Sequence, residues 1–500
     1  MSELPKGWAP CALEDICTVV SGQSPPGETY NEDGVGLPFY QGKTEFNDLY
    51  PSPRKWCTEP TKLAEDGDIL ISVRAPVGPT NLATETCCIG RGLAALRPLQ
   101  GVETKFVLYQ MRATEQQLAS IATGSTFSAV SSQQVKEHRV VLAPSKEQPR
   151  IVDEIEKQFT RLDAATAALK RVQANLKRYR TSVLKAACEG RLVPTEAELA
   201  RKEGRDYEPA DKLLQRILRE RRARWEADTL AKMHTAGRPP RDANWKQKYK
   251  EPSAPDNANL TPLPEGWCWV SADQICSQIT DGEHIQPPYR DSGRPLLTAK
   301  HVQDGWVDFR DFGLIDEESF EKARARCAPA QGDVLIVSVG ATTGRTGIVR
   351  EEPSFAIVRS VLLLRPIVNP RYLLTWAQSP SCQDWIGSAS GSTAQAHFYI
   401  SDAKRMPIAL APESEQFRIA DERDRMLSVV DALQVALANK IKASASLRRA
   451  ILSSAFTGQL VPQDPTVEHA SALLARIRAN HGVSPSQKPA RRSRKEPVHA

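Results

Sequence analysis

The sequence predicts an α+β protein built as a tandem repeat: two similar β-rich α/β domains, each followed by a long helix with a coiled-coil seam. Three observations predict it. "LPKGW" at 4–8 returns almost unchanged as "LPEGW" at 263–267. Each copy carries a Gly-Asp turn leading into an apolar run, "GDILISV" (67–73) and "GDVLIVSV" (332–339), which is a strand signal. Each copy then carries about 40 residues with apolar side chains at heptad spacing.

The repeat extends along the whole chain. Ile16-Cys17 returns as Ile275-Cys276, "LRP" (96–98) as "LRP" (364–366), and "ATGSTFSA" (122–129) as "ASGSTAQA" (389–396). "LAPSKEQPRI" (142–151) returns as "LAPESEQFRI" (410–419), and "GRLVP" (190–194) as "GQLVP" (458–462). "ADKLLQRI" (210–217) has an echo in "ASALLARI" (470–477). The offset drifts from 259 to 268 and returns to 260, as small loop insertions would make it. A period this long marks domain-sized copies, whereas solenoid repeats run to about 20–50 residues.

Within the first part of each copy, short strands alternate with turn residues, and a helix is expected from Lys105 to Ile121. The second part is the long helix. In copy one the seam is Ile151, Ile155, Gln158, Leu162, Ala165, Leu169, Val172, Leu176, Tyr179 and Val183. Ser145 and Gln148 suggest a capping-box start with Pro149 in the first turn, and Gly190 then Pro194 mark the end. In copy two the seam is Ile419, Arg423, Met426, Val430, Leu433, Leu437, Lys440, Ser444, Leu447 and Ile451, stopped at Gly458. This second seam is less apolar. An apolar stripe on a helix of roughly 60 Å needs a partner, and the other helix is the economical one. The expected boundaries are a first domain over 1–144, a long helix and a further helical segment over 145–235, and a linker over 236–262. A second domain follows over 263–412, then a long helix and a short one over 413–481, and a disordered basic tail over 482–500.

Composition bounds the function classes. Hydrophobic residues are 40% and charged residues 25%, ordinary for a globular protein. No apolar run approaches the roughly 20 residues of a membrane span, and "MSELPKGWAP" has no signal-peptide pattern, so a cytoplasmic location without membrane association is expected. The ten cysteines form no CxxC and no metal-spaced cluster, so free buried thiols are expected. The net charge of +6 permits nucleic-acid binding without arguing for it. "RILRERRARW" (216–225) and "RRSRK" (491–495) concentrate positive charge, which a solvated helix face and a tail would also do.

Motifs that tempt toward catalysis fail on inspection. "NPRY" (369–372) has Arg371 where an adenine methyltransferase motif has a second proline, and nothing similar stands at its counterpart "VETKF" (102–106). "GATTGRT" (340–346) has the wrong glycine spacing for a phosphate-binding P-loop, and its counterpart "RAPVGPT" (74–80) lacks it entirely. No Ser/His/Asp set or carboxylate pair recurs in both copies. The features that do recur are polar and loop-like. Lys43 and Lys300 recur, as do the turns Gly124-Ser125-Thr126 and Gly391-Ser392-Thr393. With Arg74, Thr343 and Arg345 these are the candidate contacts to DNA phosphates and base edges.

A diverged domain, then a more similar "LAP-x3-EQ-x-RI" helix ending in "G-[RQ]-LVP", then the whole order again, resembles the specificity subunit of type I restriction–modification systems. "LP-[KE]-GW" and the linker "YKEP" resemble the family too, and the likeness covers nearly the whole chain. The resemblance implies two target-recognition domains, each reading one half of a split double-stranded DNA site. It implies that the two helices pack antiparallel, under a pseudo-two-fold axis. It implies no catalysis and no cofactor in this chain. It implies partners: two methyltransferase subunits that bring S-adenosylmethionine, and up to two restriction subunits that use ATP and Mg²⁺. The alternatives are a fused DNA adenine methyltransferase or restriction enzyme, which needs a catalytic motif, and a coiled-coil scaffold without DNA, which leaves the duplicated domains unexplained.

Overall fold

The computed structural model describes residues 4–123, 128–237, 240, 242–256, 260–350, 354–391 and 397–481. Two compact units emerge, and neither is one sequence copy. The first joins Met1–Lys170 with Ala438–Ala500, and the second is Arg171–Leu437.

Each unit holds one β-rich domain, and the two domains share a topology. The first domain's main sheet runs Cys17–Ser21, Leu93–Pro98, Ile69–Ser72, Thr80–Leu82, all antiparallel. In the second domain the same order is Cys276–Asp281, Val361–Pro366, Val334–Val337, Thr346–Ile348. The "GD-x-LI" strands are central and buried on both faces, which is why they read as unbroken apolar runs. A second sheet in each domain contains one parallel pair, Leu37–Tyr40 beside Cys87–Ile89 and Arg294–Leu297 beside Ala356–Ile357. A two-stranded ladder closes each domain at its ends, Ala9–Ala12 with Arg139–Leu142 and Cys268–Ser271 with Pro407–Leu410.

The repeated dipeptides have a shared task. In "GD" and "LRP", Arg97 grips Asp68 through two hydrogen bonds of 2.9 and 2.8 Å. Arg365 grips Asp333 through two of 2.9 and 2.7 Å. Both aspartates are 2% exposed, so each ion pair fixes the central strand to its neighbour at low dielectric.

The long helices span Glu147–Cys188 and Glu413–Phe456. Gly190 and Gly458 terminate them at φ of 66° and 72°, and the N–H groups of Arg191 and Gln459 return to the carbonyls of Ala186 and Ser454. The start differs from the capping box expected at Ser145. The N–H groups of Glu147 and Gln148 donate to the Pro144 carbonyl instead, and the Gln148 side chain faces the domain. There it accepts from Glu103 N and donates to the Ala143 carbonyl, as Gln416 does with Asn369 N and the Ala411 carbonyl. The helix expected from Lys105 to Ile121 is two helices, Thr104–Ala113 and Glu115–Ser120. Thr114, at φ −102° and ψ 9°, leaves helical geometry between them while its hydroxyl bonds to the Gln110 carbonyl.

In the first unit the start of the first long helix packs against the end of the second. Ile151, Ile155 and Phe159 share a core with Leu452 and Ala455, the Arg448 guanidinium lies 4.7 Å from the Phe159 ring centroid, and Arg448 pairs with Asp163. In the second unit the end of the first helix meets the start of the second. Val183 and Leu184 pack on Leu427, and Arg180 pairs with Asp431. Both pairings are antiparallel. The heptad seam is buried toward the helix ends, where domain residues such as Trp8, Phe106 and Tyr372 cover it as well. Val172 and Leu433, both seam positions, stay about half exposed.

The helices that follow exchange partners. Ala210–Thr235, which follows copy one, buries Leu213 and Ile217 in the second domain's core. Ala470–His481, which follows copy two, buries Leu473, Leu474 and Ile477 in the first domain's core. "LP-[KE]-GW" sits at these junctions. The carbonyls of Gly266 and Gly7 accept from the first N–H of those helices, Ala210 at 2.7 Å and Ala470 at 2.8 Å. Trp8 Nε1 donates to buried Glu147 at 3.0 Å, and Trp267 Nε1 to buried Glu415 at 3.1 Å. The same carboxylates accept from Asp464 N and Glu196 N, just past each "LVP". Burial pushes the Glu415 carboxyl above its ordinary pKa.

All ten cysteines are free thiols and nine are buried; burial raises Cys11 and Cys87 to about 12, which keeps them protonated and inert. Among the described residues no helix is long and apolar enough to cross a membrane.

Candidate nucleic-acid interface

In the first domain, a groove of about 580 Å³ opens beside the end of the strand Leu37–Tyr40. Lys43 enters it from a short 3-10 turn after that strand. Arg74 enters from the end of the central strand and Arg91 from the residues before Leu93. All three side chains are exposed, and among the described residues no carboxylate lines the groove. Other arginines of this chain are paired: Arg97 with Asp68, Arg371 with Asp421 and Asp424, Arg478 with Asp15. Three cations in one acid-free groove make an anion-attracting surface, and Gln41, Tyr30 and Ser24 beside them supply hydrogen-bonding groups.

The structure therefore brings Lys43 and Arg74 together. It places Lys300 at the same point of the second domain, on the 3-10 turn after Arg294–Leu297, where its Nζ donates to the Asp311 carbonyl at 2.7 Å. Thr343 and Arg345 lie on the hairpin turn between Val334–Val337 and Thr346–Ile348. Thr343 is spent within that turn, its hydroxyl donating to the Gly340 carbonyl at 2.7 Å. With Arg180 of the first long helix these two line a cleft of about 370 Å³. Gly124, Ser125, Thr126, Ser392 and Thr393 lie outside the described residues. The flanks of the first of these turns are described: Thr123 and Ala129 are bonded to each other, and Ala129 bridges to Arg74. Gly391 stands at φ 74°, which favours glycine.

Two residues escaped the sequence reading, Arg91 and its partner in the repeat, Arg359. The signal was present, since at the "LRP" offset of 268 each arginine falls two residues before the same strand. Asn369 of "NPRY" is a helix N-cap. Its Oδ1 accepts from Arg371 N and Tyr372 N, with Pro370 opening the helix, so the asparagine side chain is occupied as a helix cap.

This is a duplicated fold with a cationic, acid-free groove at a strand end of the first domain and a lysine on the matching 3-10 turn of the second, the class of a DNA-recognition protein. Residues 5–177 match the model of the type I restriction modification DNA specificity domain. The chain is 38% identical over 154 residues to the putative type I restriction enzyme MjaX specificity subunit of Methanocaldococcus jannaschii, covering 30% of this chain and 36% of that protein. It is 22% identical over 514 residues to the type I restriction enzyme EcoBI specificity subunit of Escherichia coli, covering 97% of this chain and 94% of that protein. A chain solved in work on complex assembly and conformational transition of the type I R-M system has the same fold, with a TM-score of 0.62 at 20% identity over 92% of this chain and 100% of that one. Over nearly its whole length the chain is similar to the specificity subunits of type I restriction enzymes, and its first part matches the DNA specificity domain of those systems.

Proposed function

We propose that each β-rich domain reads one half of a bipartite double-stranded DNA site. The chain holds two methyltransferase subunits and up to two restriction subunits around its two similar faces, and the two long helices set the spacing of the half-sites. Lys43, Arg74, Lys300, Arg345 and the two Gly-Ser-Thr turns contact DNA. S-adenosylmethionine, ATP and Mg²⁺ act on the partner subunits. The observation that carries this reading is the acid-free groove of Lys43, Arg74 and Arg91, set at a strand end that recurs in the second domain with Lys300 and Arg359. Two similar surfaces in one chain suit two copies of a partner and the two strands of a duplex. A gel shift on duplex DNA, run with and without the methyltransferase subunit across a salt series, tests it. The complex should bind with an affinity that falls steeply as salt rises. Native mass measurement should give two methyltransferase subunits per chain, and a salt-insensitive or absent shift would refute the proposal.

A further inference from the structure

The register of the two domains makes their surfaces comparable residue by residue. Tyr40 and Leu297 pair with Ile89 and Ile357, so Lys43 and Lys300 follow equivalent strands at the same distance. Val73 N donates to the Gly92 carbonyl and Ser338 N to the Ser360 carbonyl, which makes Arg91 equivalent to Arg359 and Arg74 equivalent to Val339. The bridges agree, since Arg74 pairs with Ala129 and Val339 with His397 while the next residues, Val130 and Phe398, donate to Val73 and Ser338.

Two of these three surface positions are identical in chemistry and one is not. Phosphate contacts position a protein on DNA and carry no sequence information, whereas base contacts carry it. Two domains that read unlike half-sites therefore need the same phosphate-contacting cations and different base-contacting side chains. Resting on the DNA-reading proposal above, we infer that Lys43/Lys300 and Arg91/Arg359 are the matched phosphate anchors, and that Arg74/Val339 is a specificity-determining pair that reads a base. Arg74 is exposed and lines the acid-free groove, free to present its fork to the O6 and N7 of a guanine. Val339 has no polar group and can make only apolar contact, which suits the methyl of a thymine. The first half-site then carries a G·C pair at the step where the second carries an A·T pair.

The experiment selects binding sites from a random duplex library with the full chain assembled on its methyltransferase subunits. Wild type and Arg74→Val, Arg74→Gln, Val339→Arg, Arg91→Ala and Arg359→Ala are compared. Arg74→Val should erase discrimination at one base pair of one half-site, a loss of about ten- to a hundredfold, and leave the other half-site intact. Arg74→Gln should move that position toward adenine, and Val339→Arg should move one position of the other half-site toward guanine. Arg91→Ala and Arg359→Ala should weaken binding to every sequence alike and lower the salt slope by about one unit each. Unchanged melting temperatures for these surface variants exclude misfolding. If wild type selects a bipartite site and Arg74→Val leaves it unchanged, or Arg91→Ala alters a base preference, this inference fails and DNA reading stands. If wild type selects no sequence, both fail.

Discussion

Replacing Arg365 by methionine removes the "GD…LRP" ion pair, together with the guanidinium's hydrogen bonds to the Ala328 carbonyl and Gln278 Oε1. Asp333 is 2% exposed and accepts two hydrogen bonds from Arg365 and one from Ala330 N at 2.8 Å. Without the guanidinium the carboxylate stays buried with a single backbone donor. Breaking a buried pair by removing one partner costs about 3–5 kcal/mol. The arginine side chain is 34% exposed, so water can reach part of the vacated space, and the cost falls to about 2–3 kcal/mol. That is a loss of about 30- to 140-fold in the opening equilibrium. Native-state hydrogen exchange of the amides of Val334–Val337 reads it directly, since a central strand exchanges only through large openings. The same strand of the first domain, Ile69–Ser72, is the internal control and should not change, while Arg97→Met should reverse the pattern. Asp333→Asn should cost less, because the half-exposed arginine can turn to water. Less than threefold acceleration at Val334–Val337 would refute the reasoning.

Burial holds the His138 imidazole below its ordinary pKa, so the folded chain keeps it neutral while the unfolded chain protonates as pH falls through about 6.5. Stability of the first domain should therefore fall below that pH, and denaturant titrations at pH 7.5 and 5.5 should show His138→Gln losing less than wild type. Gly458→Ala forces a side chain onto φ 72° with its Cβ against Pro5 Cγ, and it should cost more than about 1 kcal/mol, seen as easier proteolysis of the Ala470–His481 helix. Inserting four helical residues after Lys170 and four after Leu437 adds about 6 Å to each long helix. The non-specific gap in the methylated site should then grow by one or two base pairs while the half-site bases stay the same.

The duplication was legible because the residues that make it are punctuation: Gly-Asp turns, "LRP" strand ends, and the glycines that stop each long helix. The helices were legible as periodicity. Their exchange of partners was not. "LPKGW" gives no sign that Gly7 caps a helix beginning at Ala470, since that contact spans nearly the whole chain and leaves no local pattern. The capping box at Ser145 was a plausible local reading overridden by tertiary demand: Gln148 is worth more satisfying Glu103 N and the Ala143 carbonyl. Lys43 and Lys300 were visible because the copies could be aligned through them. Arg91 and Arg359 were equally aligned, and went unread because an arginine before an apolar strand looks like an ordinary edge charge until the groove beside it is seen to hold no acid.

The measurement closest to the central claim replaces residues 9–142 with residues 268–410, from the first strand of each end ladder to the last. The chimeric chain is expressed with its methyltransferase subunits, and methylated adenines are mapped across the host genome. If each domain reads its own half, the methylated site becomes an inverted repeat of the second half-site and the first half-site disappears. A site that still contains the first half-site would show that sequence is read elsewhere in the complex, and would contradict the account.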